Sequence, residues 1–242
     1  MTSPARVRSL LPTSVETVTT EVFRRAAQLR RARAFHPRGV VLEGTLRVPD
    51  DGGLEGAELF QPGRETPVLV RISRGAGLPT NLPDILGVAV RAVDAYGPGA
   101  AQDLLFASVA PVPILNRLLL PARDHGRATY SSVLSYEVGG RRVLLGALPR
   151  VPAGVDLVSG DEVVRAARAG DLSFDLVAAV TFGPWRPIAH VDLSGPVPAG
   201  EGERLRFGPW HTGGGLRPAG LLNRFRDAAY KGSWDGRTPG GS

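Results

Sequence analysis

Short segments in which apolar and polar residues alternate fill most of the chain after residue 38, with turn-forming residues between them. Alternation with a period of two is the pattern of half-buried β-strands. Most of these segments follow one another without an intervening helix, which favours antiparallel neighbours over the crossovers of a parallel sheet. The predicted strands are about 39–48, 67–73, 86–94, 103–109, 130–138, 141–147, 174–182, 188–193 and 203–208.

Helical patterns lie at both ends of the chain and once between strands. Residues 14–33 carry apolar side chains at helical spacing after a capping-box signal. A short helix is predicted from Ser159 to about Arg168, with Gly170 closing it. A last helix is predicted from Pro218 to about residue 233, since proline is tolerated in a first helical turn.

Roughly eight strands with a helix at each end favour a closed barrel, because closure removes the exposed edges of a sheet. We therefore predict a mainly β fold with flanking helices, namely a closed antiparallel eight-stranded barrel. Such a barrel has room inside for side chains or for one ligand. A length of 242 residues is compatible with one domain over 1–242, with 1–13 and 238–242 flexible.

The composition excludes several kinds of chemistry. The chain has no cysteine, which rules out disulfides, thiolate nucleophiles and thiolate-ligated metal. His125, His190 and His211 lack the close spacings of a zinc site. No apolar run approaches the roughly 20 residues that span a bilayer, and the N-terminus has no signal-like apolar stretch. We expect a cytoplasmic protein without a membrane span.

The net charge of +6 rests almost wholly on arginine, since Lys231 is the only lysine. A basic chain can bind nucleic acid, but guanidinium groups also recognise carboxylates in a two-pronged manner. The arginines of the N-terminal segment 24–33 lack interleaved aromatics, so a solvated helix face is favoured over a nucleic-acid partner.

The candidate chemistry lies near the two ends of the chain. Arg33 and His36 are three residues apart, directly before the first predicted strand. Near the other end, Arg226 and Tyr230 are four apart and so share one face of a helix, and Arg237 follows. A tyrosine that ligates a metal must lose its proton, and a neighbouring cation favours that loss.

Together with the segments 67–73 (PVLVRIS), 84–91 (DILGVAVR) and 166–174 (AARAGDLSF), these motifs resemble, in the same order, those of the catalase-like superfamily. The resemblance covers about residues 30–237. It implies a haem b whose iron is ligated by Tyr230, with Arg226 keeping the phenolate ionised. It implies further that His36 is the distal base and that Ser73 bonds to it. The haem-binding arginines implied are Arg33, Arg71, Arg226 and Arg237.

One departure from the superfamily bears on the activity. Catalases have an asparagine beside the distal histidine, whereas this chain has Ala107 there, and only Ser108 nearby offers a polar group. We therefore expect a haem-dependent peroxidase using hydrogen peroxide or organic hydroperoxides and an unidentified electron donor, with weak or no catalase activity. It would be similar to minimal catalase-like peroxidases and to allene oxide synthase.

Other interpretations are left open. The barrel could bind haem or an apolar small molecule without catalysis, because fold alone does not imply function. The apolar segment 109–120 either walls a pocket or, as is more common for such stripes, belongs to the core or a packing helix. The glycines 213–215 are interpreted as a flexible connection into the last helix. A homo-oligomer would cover an otherwise exposed apolar haem edge.

Overall fold

The computed structural model describes residues 39–180, 183–198, 200–209 and 211–219, all within the unit Pro37–Ser242. These residues form ten strands, two three-residue 3-10 turns and two helices. The strands are β1 (Gly39–Arg47), β2 (Glu65–Arg74), β3 (Leu86–Ala92), β4 (Gln102–Val109), β5 (Thr129–Ser131), β6 (Tyr136–Val138), β7 (Arg141–Arg150), β8 (Ser173–Val180), β9 (Arg186–Pro196) and β10 (Arg217–Pro218). The helices are α1 (Gly160–Ala169) and α2 (Glu201–Arg204), and the 3-10 turns are Glu58–Phe60 and Pro113–Leu115.

Eight of the strands close into a barrel. Their order is β7, β5, β4, β3, β2, β1, β9 and β8, and β8 pairs again with β7. Every neighbouring pair is antiparallel. The other two strands extend the sheet, because β6 pairs with the first part of β7 and β10 pairs with β6. The predicted closed antiparallel eight-stranded barrel is confirmed.

Side chains fill the middle of this barrel. Each of the eight strands contributes a side chain that is at most 1% exposed to one continuous apolar cluster. Burying one such side chain is worth roughly 1.5–3 kcal/mol. The alternation in the sequence therefore builds a packed interior at this level, and a ligand has to be sought on another face. The eight side chains are Leu42, Val70, Val88, Leu104, Tyr130, Leu145, Leu176 and Val191.

The predicted internal helix is confirmed as α1. Ser159 accepts a hydrogen bond from the backbone N–H of Glu162, and the Glu162 side chain accepts one from the N–H of Ser159. Gly170 ends the helix in the left-handed region with φ of 75°, where a side chain would be strained. The helix packs against β1 and β9.

Three predicted elements differ from the structure. The strand 130–138 is divided into β5 and β6 by a turn in which Val133 has φ of 58°. The prediction of a strand at 203–208 is wrong, because α2 ends at Arg204. After it, the backbone groups of Arg206 and Gly208 bond to side chains instead of a neighbouring strand. The start of a helix at Pro218 is also wrong, since Arg217–Pro218 is β10. The predicted helices over 14–33 and beyond residue 219 lie outside the described residues.

In the described part of the chain, no helix is both long enough and apolar enough to cross a membrane.

Candidate functional site

A row of small residues crosses six strands on the outer face of the barrel. Residues directly paired between antiparallel strands place their side chains on the same face. The residues next to it along the strands, such as Ile72 and Phe106, point to the opposite face, into the core. We call it the small-residue row, and its successive partners are Gly39, Ser73, Gly87, Ala107, Ser131 and Gly146.

Ser73 occupies the part of this row where its neighbours are both glycines. A Cβ on Gly87 would lie 3.1 Å from Ser73 Oγ, and one on Gly39 would lie 2.9 Å from Ser73 Cβ. Both approaches are closer than ordinary van der Waals contact, so the two glycines make room for the serine. The hydroxyl of Ser73 has no hydrogen-bond partner within the described ranges. It is thus free to bond to a group that lies over the row.

Arg71 lies two residues before Ser73 and therefore on the same face of β2. Its partners across the strands are Val41 and Ala89. Burial lowers the pKa of the Arg71 guanidinium, because partial removal from water disfavours the charged form.

Ala107 stands in the row between Gly87 and Ser131, so the row carries a methyl group at this point. Ser108 points to the opposite face and is 1% exposed. Its hydroxyl accepts from the N–H of Leu86 at 3.0 Å and donates to the carbonyl of Leu120 at 2.8 Å. The expectation that Ser108 offers a polar group beside Ala107 is therefore wrong, since that hydroxyl holds a loop to β3.

Two loops leave the barrel close to Ser73 and Ala107 and run side by side. Asp84 and Ala122 exchange two backbone hydrogen bonds of 2.9 Å that join them. Six large apolar side chains of these loops are between 38% and 50% exposed. We call this set the apolar rim, and its members are Leu78, Leu82, Val112, Leu115, Leu118 and Leu120.

The apolar rim answers one question left open by the sequence. Within the segment 109–120, the structure has only a 3-10 turn, Pro113–Leu115, followed by a return of the chain along the end of β4. Val109 and Ala110 are buried, but four members of the rim face the solvent. The interpretation as a core segment or packing helix is therefore wrong for most of this stretch. An exposed apolar group of this size is typical of a binding surface.

Charged side chains hold the first rim loop in place. The buried Asp84 carboxylate accepts hydrogen bonds from the backbone N–H groups of Ala76 at 2.9 Å and Leu78 at 3.1 Å. Arg74 donates to the carbonyl of Leu82, and its Nε lies 4.0 Å from Asp84 Oδ2. The acidic residue of the 84–91 motif thus shapes the loop that displays Leu78 and Leu82.

Arg117 fixes the second rim loop to the turn between β5 and β6. Its two terminal nitrogens donate to the carbonyl of Val133 at 2.8 Å and to Ser135 Oγ at 2.9 Å. Burial lowers the pKa of Arg117. Val133 has φ of 58°, which is rare for a β-branched residue and is maintained only where its surroundings enforce it. Its N–H donates to Oγ of Ser131, the β5 member of the small-residue row, at 3.1 Å.

A second polar cluster lies farther along the same outer face and ties the chain after α2 to β3 and β4. The Asp103 carboxylate is 0% exposed and accepts from Nε and Nη2 of Arg91, both at 2.7 Å. It also receives the N–H of Gly208 and lies next to Nδ1 of His211, each at 2.8 Å. The hydrogen bonds that Arg91 donates to the Asp103 carboxylate raise the pKa of Arg91. We call Arg91, Asp103, Gly208 and His211 the Asp103 cluster.

Sequence reasoning missed both Arg117 and the Asp103 cluster. The partners in the cluster are up to 120 residues apart, and no local spacing pairs them. Arg91 and Asp103 each stand in a segment that the sequence singled out, but only the register of β3 against β4 places them opposite each other.

The remaining histidines serve other contacts. His125 is buried and bonds to the hydroxyl of Tyr130, and His190 lies between Asp175 at 2.9 Å and Asp192 at 3.1 Å. Among the described residues, no group of three or more His, Asp or Glu side chains could hold a metal ion.

A cleft of about 510 Å³ lies away from these features. Its walls come from the loop after β1, the ends of β6 and β8, and the beginning of β7 and β9, and an ion pair of 2.7 Å between Arg141 and Glu55 lies beside it. None of the lining residues belongs to the small-residue row or the apolar rim, so size alone does not identify this cleft as the site.

Two of the site residues predicted from the sequence fall within the described part of the chain. Arg71 and Ser73 share one face of β2, beside the small-residue row. The others, Arg33, His36, Arg226, Tyr230 and Arg237, lie outside the described residues, so their placement stays a prediction.

Comparisons with known proteins identify the fold. Neither a family model nor a curated protein matches the sequence. A bacterial catalase is similar in structure, with a TM-score of 0.57 and 15% identity over 94% of this chain and 62% of the catalase. A fungal catalase has a TM-score of 0.59 and 14% identity over 94% of this chain and 65% of its own. The chain thus spans less than two thirds of either catalase, and its barrel has the catalase-like fold.

Proposed function

We propose that this chain is a haem-dependent peroxidase that acts on hydrogen peroxide or organic hydroperoxides and has weak or no catalase activity. The catalase-like fold supports the reaction class. The observation that carries the proposal is the small-residue row, in which the unpartnered hydroxyl of Ser73 lies among residues no larger than serine.

The row fits a flat macrocycle. Strands are about 4.8 Å apart, so the part of the row that is at least partly exposed, from Gly39 to Ala107, spans roughly 14 Å without a bulky side chain. Arg71, half-buried on the same face, suits a propionate. The apolar rim beside the row would cover an apolar edge of the group or receive an apolar substrate.

The residues outside the described ranges complete the proposed site by the resemblance of their motifs. Tyr230 is the proposed iron ligand, Arg226 its charge partner, and Arg33 and Arg237 bind propionates. The same resemblance makes His36 the proposed distal base and Ser73 its proposed hydrogen-bond partner.

When bound, haem supplies the iron at which a peroxide bond is cleaved. The imidazole of His36 takes the proton of the hydroperoxide and returns it to the leaving oxygen, a role worth about 10² to 10⁴-fold. The Ser73 hydroxyl holds that imidazole in one orientation. Ala107 offers no hydrogen bond to a second peroxide molecule, which is why dismutation is expected to be weak.

An absorption spectrum of the chain produced with a supply of haem tests the cofactor. We expect a Soret band and the spectrum of a ferric phenolate complex, and Tyr230→Phe should remove the phenolate features. Tyr96→Phe is the matched control, because Tyr96 is half-buried on the barrel and bonds to Gln102 at 2.9 Å. A chain that acquires no Soret band even after reconstitution contradicts the proposal.

Turnover of peroxide tests catalysis separately. His36→Ala should keep the haem and lose peroxide-driven oxidation of a reducing dye, whereas His190→Ala should keep both. Ser73→Ala should lower the rate while leaving the haem content unchanged.

The apolar rim favours a second candidate, in which the barrel binds an apolar small molecule or haem without catalysis. Equal oxidation of the dye by the wild type and by His36→Ala would support this candidate over the peroxidase.

A further inference from the structure

We infer that the apolar rim is a docking surface for a lipid bilayer with anionic headgroups, to which the barrel attaches through its two rim loops. The inference concerns described residues alone and does not depend on haem or on the proposed reaction. It goes beyond that proposal, because it assigns a partner to a surface rather than a step to a side chain.

The two rim loops form one connected surface. The first comprises residues 75–83 and the second residues 110–123, and the pair of backbone hydrogen bonds described above joins them. The buried Arg74 joins them again, because it donates to the carbonyl of Leu82 in the first loop and to that of Arg123 in the second. The exposed apolar side chains of both loops are therefore held on the same part of the barrel.

The charges of the rim loops are all positive. Neither loop contains an aspartate or a glutamate, and their charged residues are Arg117 and Arg123. Arg123 is exposed, and no carboxylate within the described ranges pairs with its side chain. The acidic residues that flank the loops are turned inwards, since Asp84 is 3% exposed and the side chain of Asp124 is 13% exposed. An apolar surface with cations and no exposed carboxylate is complementary to anionic lipid headgroups.

The backbone of the second rim loop also suits an apolar environment. A peptide group without a partner is costly inside a bilayer. The N–H groups of the rim leucines in this loop donate to backbone carbonyls at 2.8 to 3.0 Å, and the prolines at 111, 113 and 121 have no N–H. The polar Asn116 is 6% exposed. These leucines, namely Leu115, Leu118 and Leu120, can therefore enter the apolar part of a bilayer without leaving their N–H groups unpaired.

A second copy of the chain fits this surface less well than a bilayer. In a two-fold dimer the same patch lies on both sides of the interface. Two rims in contact would bring Arg117 and Arg123 of one copy towards the same arginines of the other, and the rim loops have no carboxylate to pair with them. The charge pattern thus favours a lipid partner.

Docking through the rim brings the small-residue row close to the membrane. Ser73 lies two residues before the first rim loop, and Ala107 lies three residues before the second. Long apolar chains concentrate in bilayers, because the bilayer interior removes them from water. The location therefore agrees with the organic hydroperoxides among the proposed substrates.

The first test measures binding of the full chain to vesicles by flotation. We expect the wild type to bind vesicles of phosphatidylcholine mixed with phosphatidylglycerol, and to bind pure phosphatidylcholine vesicles more weakly. Leu115 and Leu118 are 47% and 50% exposed. Replacing both with serine should lower binding roughly tenfold to a hundredfold, because half of each leucine side chain would no longer leave the water.

The matched control for the leucines is Val180→Ser. Val180 is 56% exposed and lines the cleft away from the rim, so this variant should bind as the wild type does. A wild type that leaves the mixed vesicles unbound overturns the inference. Equal binding by the wild type and the double serine variant does so as well.

The second test removes a charge from the rim. Arg123→Gln should lower binding to the mixed vesicles about fivefold and leave binding to pure phosphatidylcholine unchanged. Arg186→Gln is the control, because Arg186 is also exposed but lines the cleft. Equal losses in the two variants would show that net charge drives the binding, which contradicts docking through the rim.

Sedimentation of the chain without vesicles tests the other occupant. We expect the wild type and the double serine variant to have the same mass in solution. A wild-type dimer that the double variant dissociates would assign the rim to a second copy of the chain and overturn the inference. A chain that binds the mixed vesicles through the rim but acquires no haem supports the docking and contradicts the proposed function alone.

Discussion

The imidazole of His125 and the hydroxyl of Tyr130 are bonded to each other inside the barrel, with Nδ1 2.8 Å from the oxygen. Their rings are nearly parallel, at 9°, and both side chains are buried. Burial, with a smaller contribution from the charge of Arg74, lowers the pKa of His125 to about 4. The neutral imidazole is thus part of the core.

Stability should depend on this histidine in mildly acidic solution. The pKa of His125 is about 4 when folded and about 6.5 when unfolded, so the unfolded chain binds more protons between these values. The contribution of neutral His125 to the free energy of unfolding is full above about pH 6.5. It is lost as the pH falls towards 4, and the total loss is about 3 kcal/mol. The variant His125→Gln keeps a group able to bond to Tyr130. Its free energy of unfolding, measured with denaturant, should fall less steeply with decreasing pH over this range than that of the wild type. A wild-type slope in that variant, with the same slope in His190→Gln, would contradict the prediction.

Adding an amide to the small-residue row should change the balance of activities. Ala107→Asn places a hydrogen-bond donor between Gly87 and Ser131. We expect the ratio of oxygen release from hydrogen peroxide to dye oxidation to rise by about tenfold or more, since one positioned donor contributes about 10² to 10³-fold in other enzymes. Ala107→Leu, which fills the same space without a donor, should reduce haem binding. An unchanged ratio in a haem-loaded Ala107→Asn would argue against the assignment of Ala107 to the peroxide side.

The apolar rim should select substrates. Leu115 and Leu118 are 47% and 50% exposed, so replacing both with serine should change the free energy of unfolding by less than about 1 kcal/mol. If long apolar hydroperoxides lie against the rim, their KM should rise severalfold, while the KM for hydrogen peroxide stays the same. Equal changes for both substrates would mean that the rim serves another purpose. The sedimentation of the double variant shows whether that purpose is association between copies of the chain.

The carboxylate of Asp84 should matter more than its peripheral position suggests. Asp84→Asn leaves one acceptor for the two backbone N–H groups of Ala76 and Leu78. We therefore expect the free energy of unfolding to fall by about 1–3 kcal/mol. Asp94→Asn is the comparison, because Asp94 also accepts from one backbone N–H, that of Gly99, but is exposed. Chemical denaturation of both variants measures the difference. Equal losses would show that burial of Asp84 adds nothing.

The sequence predicted what depends on local patterns. Strands such as β1 and β4 were found because their alternation reflects one face against the core, and α1 was found because Ser159 and Gly170 are local signals at its ends. Their assembly into a closed barrel followed from the number of strands. The segment 203–208 was wrongly predicted to be a strand, because the Arg206 carbonyl bonds to Arg91 and the Gly208 N–H bonds to Asp103. These backbone groups therefore do not pair with a neighbouring strand.

The candidate site depended on register, which the sequence does not state. Gly39, Gly87 and Ala107 are unremarkable small residues until strand pairing aligns them with Ser73. Likewise, Arg117 has no signal that connects it to the turn at Val133. Resemblance of motifs supplied Arg71 and Ser73, and the structure adds that they share one face.

The pairing of β1 with β9 joins distant parts of the chain, since Leu42 of β1 lies opposite Pro196 of β9. A ribosome that adds about 5–20 residues per second makes β9 roughly 8 to 30 s after β1. During that interval one edge of β1 has no partner in the nascent polypeptide, and an unpaired strand edge invites aggregation. Truncation before β9 should therefore yield chains that depend on chaperones or precipitate, whatever the fate of the site.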